Sequence, residues 1–148
     1  MTATPKILFL CTGNACRSQM AEGWARHLRG AVLEAYSAGI EPGGLDPRAV
    51  KVMAEAGVDI SGHRSKNVSE LMDVPFNYVV TVCDNARESC PLFLGRAKVV
   101  HVGFDDPPRL AKDVKTEEEA LVHYRRVRDQ IRAFVLTLPE SLLKSNKE

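Results

Sequence analysis

Near-continuous apolar runs and apolar residues spaced four apart alternate along this chain, and the alternation predicts its fold. Ile7, Leu8, Phe9 and Leu10, between Lys6 and Cys11, read as a strand buried on both faces, and residues 77–83 and 97–102 have the same character. Runs without polar alternation point to a parallel sheet covered by helices on both sides. Between the first two runs Met20, Trp24 and Leu28 recur at intervals of four, as do Ala21 and Ala25, while Ala49, Met53 and Ala56 form a second stripe. Thr116 followed by Glu119 predicts a capping box, and Ala120, Tyr124, Val127, Ile131 and Val135 then trace one face of a final helix. A weaker strand over residues 32–37 completes a four-stranded, doubly wound α/β domain. The tail beyond Pro139 is expected to fray.

Composition narrows the classes. The 148 residues are enough for one sizeable core and show no compositional break, so a single domain over residues 1–148 is expected. Apolar residues make up 45% and charged residues 26%, and 20 Lys plus Arg against 19 Asp plus Glu imply no nucleic-acid binding. The first apolar run is too short for a signal peptide, and no stretch reaches the ~18 apolar residues of a membrane span. A cytoplasmic protein with no membrane association follows as an expectation. In a reducing compartment the four cysteines, Cys11, Cys16, Cys83 and Cys90, are expected to be reactive or buried thiols rather than a disulfide framework.

The chemistry concentrates in residues 11–18. Cys11, Thr12, Gly13, Asn14, Ala15, Cys16, Arg17 and Ser18 lie where the first strand ends and an amphipathic helix begins, so their backbone N–H groups can converge on an anion. In an open α/β sheet, ligands bind at this carboxyl end of the strands. A thiolate supplies the nucleophile, Gly13 lets backbone approach the ligand, and the planar fork of Arg17 grips two oxyanion oxygens. Arg17 and the helix dipole are expected to lower the Cys11 pKa until the thiol is ionised at neutral pH, with Ser18 donating a hydrogen bond to it. A buried strand-end cysteine is the bland alternative. Cys16 reads as structural or accessory. The same Cys-to-Arg spacing recurs at Cys90 and Arg96, but with Pro91, Leu92, Phe93 and Leu94 inside it. Cys83 and Cys90 read as core cysteines, redox thiols or half a zinc site. Zinc is disfavoured by their spacing and by the scatter of His27, His63, His101 and His123, so no metal is expected. On sequence alone, Asp105 and Asp106 read as a solvated turn before two prolines.

Residues 11–24, together with 36–40, 58–61 and 102–107, resemble the thioredoxin-coupled arsenate reductases, which share a fold with low-molecular-weight protein tyrosine phosphatases. The resemblance spans nearly the whole chain. It implies a single-domain three-layer sandwich around a four-stranded parallel sheet, with arsenate as substrate, phosphate or sulfate as analogues, and residues 12–18 as the oxyanion cradle. It further implies that Cys11 attacks arsenate while Asp106 protonates the departing oxygen. Cys83 then attacks Cys11 and releases arsenite, Cys90 attacks Cys83, and thioredoxin reduces the resulting disulfide. Reduced thioredoxin is the electron donor, no cofactor is bound, and a monomer is expected. The polar residues 84–89 between the two later cysteines suit a segment that rearranges.

Some relatives hold potassium with residues matching Asn14, Glu22 and Ser37 plus an acid. Here Lys66 stands at the acid's position, so independence of potassium is expected, against the alternative of an exposed lysine without a role. A tyrosine phosphatase would use the same Cys11, Arg17 and Asp106 but needs aromatic walls. Pro108, Arg109 and Leu110 do not supply the tyrosines of that pattern. A slow phosphatase side reaction remains compatible with the resemblance. A non-catalytic oxyanion-binding or thiol-sensing module is the alternative from another class.

Overall fold

The structure is a computed structural model and describes residues 4–83 and 97–144. Four strands form one sheet: β1 (Lys6–Cys11), β2 (Glu34–Gly39), β3 (Tyr78–Thr81) and β4 (Lys98–His101). They lie in the order β2-β1-β3-β4 with every pairing parallel, which is the doubly wound arrangement the alternating pattern predicts. The register places Cys11 beside Gly39, and Leu10 between Ala38 and Thr81.

Ile7, Leu8, Phe9 and Leu10 are all fully buried, and because successive residues of a strand face opposite sides, both faces of the sheet are covered at β1. Helix α1 (Arg17–Arg29) follows β1 and buries Met20, Ala21, Trp24 and Ala25, as its spacing predicts. Asp46 caps helix α2 (Pro47–Glu55) by accepting from Arg48 N, with Pro47 in the first turn, where its missing N–H costs no bond. A 3-10 turn, Val68–Leu71, precedes β3. After β4 come the short α3 (Pro107–Leu110), α4 (Glu117–Val135) and α5 (Glu140–Lys144). The Thr116–Glu119 capping box is present, and Ala120, Tyr124, Val127, Ile131 and Val135 are buried along α4. Helix α1 packs against α4, where Trp24 Nε1 donates to Arg128 O at 3.1 Å.

Three sequence expectations are corrected. Residues 97–102 were read as a fully buried strand, yet β4 is the edge of the sheet, with Val99 43% exposed. Ala56 lies past the end of α2 and is exposed; Val52 takes its place beside Ala49 and Met53 on the buried face. Within the described part of the segment after Pro139, Glu140–Lys144 is helical rather than frayed, because Leu142 is buried and its carbonyl accepts from Lys98 Nζ at 2.8 Å.

Candidate active site

Residues 11–17 wrap from the end of β1 into α1, and their carbonyls are held from outside. Ile40 N donates to Cys11 O, Glu41 N to Thr12 O, Gly43 N to Gly13 O, and Asp46 N to Ala15 O, at 2.8 to 3.2 Å. Ser65 Oγ adds a second bond to Gly13 O at 2.9 Å, Gln19 Nε2 donates to Asn14 O at 3.0 Å, and Met20 N to Cys16 O at 2.9 Å. A trans peptide points its N–H opposite its carbonyl, so the N–H groups of residues 12–17 face away from these partners and into the loop. Inward-facing N–H groups at a helix N-terminus form a cradle that can hold an anion. Gly39 is part of its frame: a Cβ there would lie 2.6 Å from Thr12 O and 2.9 Å from Asn14 N. Asn14 takes the left-handed backbone conformation, with φ 48°. Its amide donates to Ser18 Oγ at 2.9 Å, which leaves the Ser18 hydroxyl proton free to be donated in turn.

Cys11 and Cys83 meet at the head of this cradle. Both are buried, and Cys83 Sγ lies 3.2 Å from the hydroxyl of Thr12, the residue next to Cys11. The bond to Cys83 pushes the Cys11 thiol well above its ordinary pKa and burial adds to it, while the Arg17 charge and Thr12 N–H pull the other way. In this arrangement the shift runs upward, against the expectation of a depressed Cys11 pKa. The sequence signal behind that expectation was local, whereas the opposing group arrives from another strand. Cys16, buried behind the loop, is also raised, first by burial and then by the Asp46 charge, as suits a packing role.

Beside the cradle, the loop before α3 lines a cavity of about 340 Å³ with Phe104, Asp105, Asp106 and Arg109, and Arg17 and Cys83 also line it. Arg17 Nη1 donates to Phe104 O at 2.8 Å and Nη2 lies 3.7 Å from Asp106 Oδ2, so the arginine ties cradle to wall. Asp105 is engaged by Arg126 at 3.0 Å, and Asp106 is left as the acid beside Arg17. Cys90 and residues 84–89 lie outside the described residues, as do Arg96 and the tail beyond Lys144.

Behind the cradle, the Lys66 ammonium lies 3.9 Å from Glu22 Oε1 and 3.3 Å from Arg64 O, and Lys66 N donates to Asn14 Oδ1 at 2.9 Å. Glu22, buried, also accepts from Ser37 Oγ at 2.5 Å and pairs with Arg26 at 2.7 Å. The side chain of Lys66 thus lies between Glu22 and Arg64 O rather than in open solvent. Among the described residues no group of three His, Cys, Asp or Glu side chains is arranged to hold a metal ion. No described helix is long and apolar enough to cross a membrane.

The sequence reading missed Gln19, Gly39, Ser65 and Arg109. Gly39 carried a signal, since it lies in one of the resembling stretches. Gln19 did too, within residues 11–24, but Ser65 carried none, and for both what matters is which carbonyl each one meets.

A parallel sheet with a strand-end cysteine, a phosphate-type loop and an aspartate wall defines an oxyanion-handling α/β protein of the phosphatase type. The chain matches the family described as low molecular weight phosphotyrosine protein phosphatase over residues 6–148, and it belongs to that family. It is 46% identical over 135 residues to an arsenate reductase of Halalkalibacterium halodurans, covering 91% of this chain and 95% of that one. It is 50% identical over 125 residues to an arsenate reductase of Bacillus licheniformis, covering 84% and 88%. A solved structure described as an arsenate reductase in the phosphate binding state superposes with a TM-score of 0.75 at 29% identity, covering 91% of this chain and 96% of that one.

Proposed function

We propose that this chain is an arsenate reductase that passes two electrons from thioredoxin through Cys90, Cys83 and Cys11 to the arsenic. The observation that carries the reading is the placing of Cys83 at the head of the cradle, 3.2 Å from Thr12 Oγ1, which brings a second buried sulfur beside the nucleophile. A phosphatase of the same fold has no use for it. The relatives named arsenate reductase, at 46% and 50% identity, support the same substrate.

The cradle amides and Arg17 take the oxygens of arsenate and hold the arsenic in line with Cys11 Sγ. Cys11 forms the S–As bond while one oxygen leaves as water, taking up the thiol proton, with Asp106 relaying protons to the departing oxygen. Cys83 then attacks Cys11 Sγ. The S–As bond breaks, its electron pair stays on arsenic as arsenite, and a Cys11–Cys83 disulfide forms. Cys90 attacks Cys83, frees Cys11 and leaves a Cys83–Cys90 disulfide, which the dithiol of thioredoxin reduces by exchange. No bound cofactor enters this sequence. A cytoplasmic setting would keep the three thiols reduced between turnovers.

Phosphate shares the shape and charge of arsenate, so slow phosphatase turnover through Cys11, Arg17 and Asp106 is a side activity of the same site. Among the described residues the cavity lining includes Phe104 and Arg109 but none of the tyrosines of the phosphatase pattern. Purified protein with arsenate, thioredoxin, thioredoxin reductase and NADPH should consume NADPH in an arsenate-dependent way, and Cys83→Ser and Cys90→Ser should each stop it. No consumption alongside brisk aryl phosphate hydrolysis would contradict the reading.

A further inference from the structure

Gln19, one turn into α1, is fully buried directly behind the cradle. Its Nε2 lies 3.0 Å from Asn14 O, 3.1 Å from Asn14 Oδ1 and 3.1 Å from Arg64 O. Three carbonyl oxygens around one atom fix the orientation of the amide, because an oxygen in that place would face only acceptors. Gln19 Oε1 therefore points the other way, to His63 Nδ1 at 2.9 Å. An amide oxygen can only accept, so the imidazole carries its proton on Nδ1. The chain of donors runs in one direction, from His63 to Gln19 to Asn14.

Asn14 is the residue at which this chain meets the cradle. Among the described residues it alone, apart from glycines, has a positive φ. Its carbonyl has no backbone donor to turn it outward, unlike the carbonyls of Cys11, Thr12, Gly13 and Ala15. Gln19 supplies the missing bond. By holding Asn14 O outside, it aims the Ala15 N–H inward, since the two groups of a trans peptide point in opposite directions.

We propose that Gln19, oriented by His63, is a positioning residue that sets oxyanion affinity by holding Asn14 left-handed and Ala15 N–H toward the ligand. The inference rests on reading the cradle as the arsenate site. It goes beyond that reading by assigning the affinity to a side chain that does not touch the anion.

The test is inorganic phosphate titrated into the reduced full-length protein, followed by calorimetry and by the amide signal of Ala15. Gln19→Met keeps the length and removes the donor; its phosphate Kd should rise about tenfold, the worth of one buried hydrogen bond. The arsenate KM should rise by a similar factor while kcat stays within about twofold, a split that general loss of folded protein would not produce. His63→Phe should weaken phosphate binding by about threefold. His63→Asn, whose amide nitrogen reaches the Nδ1 position, should restore it. Phosphate affinity unchanged in a folded Gln19→Met variant would overturn the proposal. If that variant does not fold, equal affinities in His63→Phe and His63→Asn would overturn it instead. Phosphate binding is read directly, so this outcome is separate from whether wild-type protein reduces arsenate.

Discussion

The two sides of the candidate site, the cradle and the loop before α3, are built in opposite ways. On the cradle side, every carbonyl from Cys11 to Cys16 has a donor, supplied by residues 40–46, Ser65, Gln19 and α1 itself. On the facing side, Asp106 and Arg109 sit on or just before a four-residue helix, and the Asp106 side chain is 38% exposed with Arg17 as its ion-pair partner. The cradle must be rigid, because its amides act on a charge that is present from binding onward. On the proposed function, the facing side only has to deliver a proton when the oxygen leaves. Binding and chemistry should therefore separate by wall when each is altered.

The largest effect should come from the chemical wall. Asp106→Asn removes the proton donor and should lower kcat for arsenate reduction by about 10²-fold or more, with phosphate affinity within about threefold of wild type by titration. Gly39→Ala should do the reverse. Its methyl would lie 2.6 Å from Thr12 O, so the cradle must shift, and phosphate binding should fall on the order of 10²-fold in the same titration. If both variants lose affinity and kcat together, the two walls are not separable.

Cys11 permits a finer test. Its pKa is raised chiefly by the bond to Cys83, so removing that partner must lower the pKa and increase the thiolate fraction at neutral pH. In Cys83→Ala, alkylation of Cys11 by iodoacetamide, read by peptide mass spectrometry, should be on the order of tenfold faster at pH 7, with its rise shifted to lower pH. An unchanged pH profile would mean that burial, not Cys83, holds the proton. The smallest effect concerns the back of the cradle, where the Lys66 ammonium already faces Glu22. Turnover should change less than about twofold when potassium is replaced by sodium at constant ionic strength. A strong potassium activation would show that Lys66 does not fill that role.

How much of this the sequence displayed depended on the range of the interactions. The cradle was legible because strand, loop and helix are contiguous, and β1, α1 and α4 followed from spacing alone. The edge position of β4 was not, since an apolar run does not say whether another strand lies beyond it. The donors that hold the cradle were hidden because most are backbone N–H groups, which every residue but proline carries. The upward direction of the Cys11 shift was missed for the same reason: Cys83 follows β3, far along the chain, and opposes what Arg17 alone would do.

The relay is tested most directly by stopping it halfway. Reduced Cys90→Ser protein, mixed with one equivalent of arsenate and quenched in acid, should yield a Cys11–Cys83 disulfide by peptide mass spectrometry, together with one equivalent of arsenite. Arsenite released without that disulfide, or no disulfide and no arsenite from protein that binds phosphate normally, would contradict the account.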